Sequence, residues 1–299
     1  MDNTGAVGTP LVVVGTDGSD HGDRSVARAA ATAARSGARL RIVHAIRMPM
    51  ALPGFEPVDP GEEVLAAASE EVARASAAAL ARHPGLTVEG RVGFGLPADA
   101  LLEAAEGATL LVVGSRGGGG FADLLLGSVS RSLTARTPCP LLVVRGGSGV
   151  PSAAGEPAVS GADVLVGIQG EDDGPAVRAA FEAARQWGLP VHAVHAWSWP
   201  GYAGIAGPTD ADMRAVRQVH EASLEEALEP ARAVFPEVEV HAESVLGDAA
   251  GTLIEASRTG ALVVVGVRHR RGPLRHWVGH IAVTALEHAH CPVLVVPLS

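Results

Sequence analysis

The chain repeats itself. LVVVGTDG at 11–18 is matched by VLVGIQG at 164–170, placing Gly15 over Gly167. LLVVGSRG at 110–117 is matched by LVVVGVRH at 262–269, placing Gly114 over Gly266, while Gly127 falls over Gly279 and Cys139-Pro140 over Cys291-Pro292. Each pair is 152 residues apart. VHA at 43–45 meets VHA at 194–196 with an offset of 151, so a one-residue gap opens and later closes. Landmarks kept in register over this distance describe the duplication of a whole domain. The 299 residues divide into a first domain at 1–146, a linker at 147–161 and a second domain at 162–299. The run GGSGVPSAAGEPAVSG (146–161) has the Gly, Ser, Pro and Ala content of a flexible linker. Each half is long enough to bury its own core.

Within the first half, β-branched runs alternate with Ala-rich stretches. Strands are predicted near 10–16, 39–45, 86–92, 109–114 and 140–145, and helices near 22–36, 62–82, 97–106 and 128–136. Runs such as LLVV and PLLVV are apolar throughout, as befits a parallel sheet covered on both faces. The expected class is α/β: two Rossmann-like, doubly wound domains in tandem, each with a five-stranded parallel sheet. The terminal apolar strands, PLLVV and PVLVV, would otherwise leave bare edges. The two halves are therefore expected to pair through them about a pseudo-twofold axis, as an internal pseudo-dimer that can itself form a homodimer of tandem chains. In such sheets ligands bind beyond the carboxyl ends of the strands, where the strand order reverses.

Composition removes several chemistries. All 23 basic residues are arginine. A Walker-A lysine, a pyridoxal Schiff base and a lysine general base are therefore excluded. The net charge of −10 argues against nucleic acid, whose binding needs a basic surface. A small anion can still be held by backbone amides. No apolar run reaches the roughly 20 residues of a membrane span. MDNTGAVGTP lacks the basic and apolar regions of a secretory signal, so the expected location is the cytoplasm. Cys139 and Cys291, in the like contexts TPCPLLVV and HCPVLVV, are expected to be buried thiols at strand starts.

The loops at the switch point carry the chemistry. Gly15-Thr16-Asp17-Gly18-Ser19 follows the first strand, and Gly114-Ser115-Arg116-Gly117 follows the fourth. Nine residues later Gly127-Ser128 opens the helix VSRSLTAR. Paired glycines permit close backbone approach to a ligand, and a helix start offers unbonded amides to an anion. Each element alone has a plainer explanation: Ser128 as a helix cap, Gly127 as relief of a steep turn.

Taken together, VVG followed by G-x-x-G-x(9)-G-[S/T], with VG-x-D-G-S near the start and CPLLVV at the end, resembles the universal stress protein family of ATP-binding type. The resemblance spans nearly all of both halves. It implies an adenine nucleotide, ATP or else ADP or AMP, with Mg²⁺ held through the phosphates and water and by no protein side chain. By that resemblance Gly15, Thr16 and Asp17 line the adenosine corner, and Ala45 bonds the adenine edge through its backbone. Gly114, Ser115, Arg116 and Gly117 surround ribose and phosphates, while Gly127, Ser128, Val129 and Ser130 hold the outer phosphates. Gly118, Gly119 and Gly120 lend mobility to the nine-residue excursion.

The second half departs from this pattern. Asp17 is matched by Gln169, Gly117 by His269 and Ser128 by His280. A side chain at 269 would take space the phosphates need. Gly167, Ala196, Gly266, Val267, Arg268 and Gly279 remain as weaker candidates. Nine of the twelve histidines lie in this half, and His276 and His280 at i,i+4 match no standard zinc pattern. WSWPGYAGIAGPTD (197–210) is expected to be a mobile loop beside the second cleft.

The expected function is an ATP-binding regulator or sensor of the stress response, acting on a regulatory protein partner, with little turnover. Fast phosphoryl transfer needs charge neutralisation and a positioned base, and the loop offers one arginine and no carboxylate pair. The alternatives are a slow ATPase, or an interaction module whose second half has lost nucleotide. A dinucleotide-binding unit would want G-x-G-x-x-G after the first strand, which VGTDGSDHG does not supply. A response regulator would need a lysine.

Overall fold

The computed structural model describes residues 9–48, 59–117, 126–145, 161–199, 209–268 and 279–298. All but the last residue of the expected linker, the triglycine 118–120 and His269 and His276 lie outside these residues, as does most of the aromatic segment. The chain divides into two compact units, residues 1–158 and 159–299.

The first unit runs β1 (Leu11–Thr16), α1 (Asp20–Ser36), β2 (Arg39–Ile46), α2 (Glu62–Arg82), β3 (Val88–Phe94), α3 (Pro97–Ala104), β4 (Leu110–Gly114), α4 (Ser128–Thr134) and β5 (Leu141–Val144). The strands pair in the order β3-β2-β1-β4-β5, every pair parallel. Val14 stands against Ile42 on one side and Val112 on the other. Helices α1 and α2 contact each other and cover one face, while α3 and α4 cover the other. This sandwiching explains the composition of the strands. Val13, Val14, Leu111 and Val112 have solvent on neither side and are buried, whereas the edge strand β3 leaves most of its residues exposed or half-buried.

The second unit repeats this with β6 (Val164–Gly167), a single 3₁₀ turn, α5 (Gly174–Trp187), β7 (Val191–Trp197), α6 (Asp210–Val234), β8 (Val240–Leu246), α7 (Ala249–Ala256), β9 (Leu262–Arg268), α8 (His280–His288) and β10 (Val293–Leu298). Its order is β8-β7-β6-β9-β10, again parallel. Local chemistry sets the helix ends. Ser19 caps α1 by accepting from the Gly22 amide at 3.2 Å. Helices α1 and α5 both stop at a left-handed glycine, Gly37 (φ 65°) and Gly188 (φ 66°), where a Cβ would be strained. Cys139 and Cys291 are both buried, and burial pushes the Cys139 thiol up from its usual range. Among the described residues no helix is long and apolar enough to cross a membrane.

Candidate functional site

Strand order reverses between β1 and β4, and there the loops leaving both strands enclose a cavity of about 740 Å³. That volume lies within the roughly 300–1,000 Å³ usual for small-molecule and cofactor sites. Its wall contains eleven of the residues singled out in the first domain: Gly15, Thr16, Asp17, Ala45, Gly114, Arg116, Gly117, Gly127, Ser128, Val129 and Ser130. Segments separated by more than a hundred residues of sequence thus converge on one space.

Glycines make that convergence sterically possible. A Cβ on Gly15 would sit 3.0 Å from the Leu101 methyls, so a bare position 15 lets α3 pack closely on β1. On Gly22 it would meet Thr16 Oγ1 at 2.9 Å and Asp17 Oδ1 at 3.0 Å, and on Gly117 it would collide with Asp17 Oδ2. The Asp17 carboxylate is thus flanked by two glycines, one from α1 and one from the loop after β4. Its Oδ1 accepts from the Ser19 amide at 3.1 Å and the Ser19 hydroxyl at 2.5 Å. The first obstacle to a side chain at 117 is therefore Asp17, before any phosphate is considered.

Thr16 carries the loop's second tether. Its Oγ1 accepts from the Gly18 amide at 3.2 Å and donates to Glu71 Oε1 at 3.4 Å. Arg74 grips Glu71 at 2.8 Å and Asp23 at 2.6 Å, so α2 and α1 are linked beside this loop. Those two carboxylates hold the Arg74 guanidinium well above its ordinary range. Exposed pairs of this kind contribute about 0–1 kcal/mol each, so their effect here is one of placement.

Two serines play parts the sequence did not assign. Ser115 is buried and is not in the cavity wall. Its amide donates to Val144 O and its carbonyl accepts from the Gly127 amide, both at 2.8 Å, stitching β4 to β5 and to the start of α4. Ser130, also buried, donates its hydroxyl to the Gly114 carbonyl at 2.8 Å. Its proton is committed to the protein, which leaves the backbone as what Ser130 offers a ligand. Gly127 is the N-cap of α4, and no side chain caps that end.

The cavity also holds residues that sequence reasoning missed: His21, Gly22, Val43, Arg47, Pro97, Leu101 and Val113. The repeat carried the signal for two of them, because GTDGSDHG and GIQGEDDG agree at Gly22 and Gly174 and differ at His21. The apolar ones belong to α3 and to the strands β2 and β4, and only the tertiary fold brings them in. Arg47 and Arg116 form no ion pair among the described residues. His21 is half-buried, and burial followed by the charges of Arg24 and Arg116 pulls its pKa down, against Asp17 and Asp20. The wall thus combines apolar surface from Val43, Pro97, Leu101 and Val113 with two arginines, in a chain whose net charge is −10.

The second domain builds the corresponding corner differently. Gly167 faces Leu253 as Gly15 faces Leu101, with a virtual Cβ 2.8 Å from Leu253 Cδ1. Beside Gly266, however, lies the Asp173 carboxylate, 2.7 Å from where a Cβ would be. Arg268 pairs with Asp172 at 3.1 Å, Val267 is buried, Ala196 is half-buried in β7, and Gly279 caps α8 ahead of an exposed His280. Among the described residues no three metal-ligating side chains lie together.

A family model described as the universal stress protein family matches residues 11–145 and again 162–297. The chain belongs to the universal stress protein family. It is 33% identical over 294 residues to a universal stress protein of Mycobacterium tuberculosis, covering 95% of this chain and 96% of that protein. A universal stress protein of Thermus aquaticus is 40% identical over 147 residues, which is 45% of this chain and 97% of that one. Among solved structures, a universal stress protein from Archaeoglobus fulgidus superposes with a TM-score of 0.66 at 17% identity, covering 96% of this chain and 98% of its own. That likeness concerns the fold.

Proposed function

We propose that the first domain binds one adenine nucleotide, ATP with Mg²⁺, and that the bound nucleotide acts as a signal in a stress response. One observation carries the reading. A cavity of about 740 Å³ at the strand-order reversal combines an apolar wall with Arg47 and Arg116, neither of them in an ion pair among the described residues. A ligand that suits it has a flat, weakly polar part and an anionic part, which is the chemistry of a nucleotide. Val43, Leu101 and Val113 offer the base an apolar surface. Arg116 and the uncapped start of α4 offer the phosphates charge and amides. Asp17 accepts hydrogen bonds and so suits the hydroxyls of the sugar. Mg²⁺ would be carried on phosphate oxygens, with water completing its shell.

Among the described residues the cavity wall carries one carboxylate, Asp17, beside its two arginines, a set suited to holding a nucleotide rather than to fast phosphoryl transfer. Occupied and empty forms can still differ in affinity for a protein partner, which is all that signalling requires. Isothermal titration of the full chain with MgATP, MgADP and AMP tests the proposal. The expected result is saturable binding at close to one nucleotide per chain. Absence of binding for all three would refute it.

A further inference from the structure

We infer that position 21, with its counterpart 173, sets how readily each domain accepts an anionic ligand: His21 brings its backbone oxygen and Cβ close to Gly114, whereas Asp173 puts its carboxylate in the same place beside Gly266. The inference rests on the nucleotide reading of the first domain and adds a residue to those by which the domains differ.

The register is secure, because GTDGSDHG at 15–22 and GIQGEDDG at 167–174 align without a gap. Asp173 is 1% exposed, unusual for a carboxylate. Its Oδ2 accepts from the Gln169 amide at 2.6 Å and the Gly170 amide at 3.2 Å, while Oδ1 lies against Gly266. A buried carboxylate is tolerable only when it is hydrogen-bonded in this way. The neighbouring acid, Asp172, pairs with Arg268 at 3.1 Å. The second domain therefore satisfies its own loop amides and its own arginine with two consecutive acids, and an entering phosphate would confront the buried charge of Asp173.

The first domain places its loop carboxylate elsewhere: Asp17, where the second domain has Gln169, lies beside Gly117 and Gly22. Gly114 stands where Gly266 does, and the His21 backbone oxygen and Cβ lie 3.3 and 3.4 Å from its virtual Cβ. Arg116, the counterpart of Arg268, has no ion pair among the described residues, although Asp20 occupies the position of Asp172. A neutral or cationic imidazole in the cavity wall opposes no phosphate. Histidine in place of that acid thus keeps a carboxylate out of the corner beside Gly114 while the fold is kept.

The test is titration of the full chain, and of its His21→Asp and His21→Asn variants, with MgATP and with uncharged adenosine. We expect His21→Asp to weaken MgATP by more than about tenfold, as like charges in one site should. Adenosine should change by less than about threefold in His21→Asp, and His21→Asn, which adds no charge, should lose less MgATP affinity than His21→Asp. Wild-type MgATP affinity in His21→Asp would overturn the inference. So would equal losses for MgATP and adenosine, which signal a damaged domain, or a loss in His21→Asn as large as in His21→Asp. A wild-type chain that binds neither ligand overturns this inference together with the proposed function, whereas the other outcomes leave the proposed function standing.

Discussion

Replacing Gly117 with alanine adds one methyl group, and that methyl lands on Asp17 Oδ2. Gly117 is not in a left-handed conformation, so alanine meets no backbone strain there. The carboxylate must give way instead. It then leaves the Ser19 amide and hydroxyl, now at 3.1 and 2.5 Å, and its place in the cavity wall. Losing one polar contact to a ligand costs about 1–3 kcal/mol, which corresponds to about five- to 150-fold in affinity. MgATP titrations of wild type, Asp17→Ala, Gly117→Ala and the double variant form a cycle. Each single change should weaken binding by about tenfold or more, and the double variant should bind no worse than Asp17→Ala, because the methyl has nothing left to displace. Gly117→His, which copies the residue at 269, should lose at least as much as Gly117→Ala. Additive losses in the cycle would mean that the methyl acts on something other than Asp17. Full affinity in Gly117→Ala would remove the glycine from the argument altogether.

Phosphate release under saturating MgATP should fall far below the roughly 1–100 per second of dedicated kinases; several turnovers per second that vanish in Asp17→Ala would make the first domain an enzyme. In the second domain His220 stacks on Trp197 with ring centroids 4.8 Å apart, and its Nδ1 lies 2.9 Å from His195 Nε2. His195 Nδ1 faces the Ile168 carbonyl at 2.9 Å, so His195 donates there and accepts from His220, leaving His220 Nε2 as the atom that takes up a proton. Burial and His195 hold the His220 pKa below its ordinary 6.5. The unfolded chain therefore binds this proton more readily, and the stability it contributes is present above pH 6.5 and lost as pH falls toward the lower folded value. Denaturant midpoints between pH 7.5 and 5 should show that slope, and His220→Asn should flatten it; an unchanged slope would exclude His220 as the source.

Much of this protein was legible from the chain alone, for local physical reasons. The duplication needs only self-comparison. The strands were legible because both faces of each central strand are covered, which demands unbroken apolar runs such as LVVV and LLVV, and the helices because Ala-rich amphipathic stretches separate them. The loops Gly15–Ser19 and Gly114–Gly117 were legible because close approach of backbone to ligand admits little besides glycine. What only the tertiary structure decided is which atoms meet. Sequence spacing placed Gly117 in the ligand loop, but only the fold shows that a side chain there would meet the Asp17 carboxylate, a hundred residues away. Ser130 looked like a ligand hydroxyl, yet it donates to Gly114 O across the same switch point. Leu101 and Arg47 carry no motif, and enter the cavity because α3 and β2 end beside β1. The closed second corner was hidden for the same reason: an Asp in place of His21 reads as a surface change until the fold turns its carboxylate inward onto the amides of Gln169 and Gly170. Periodicity and glycine placement are written along the chain, whereas the partner of each polar atom is set by contacts between segments that sequence distance does not encode.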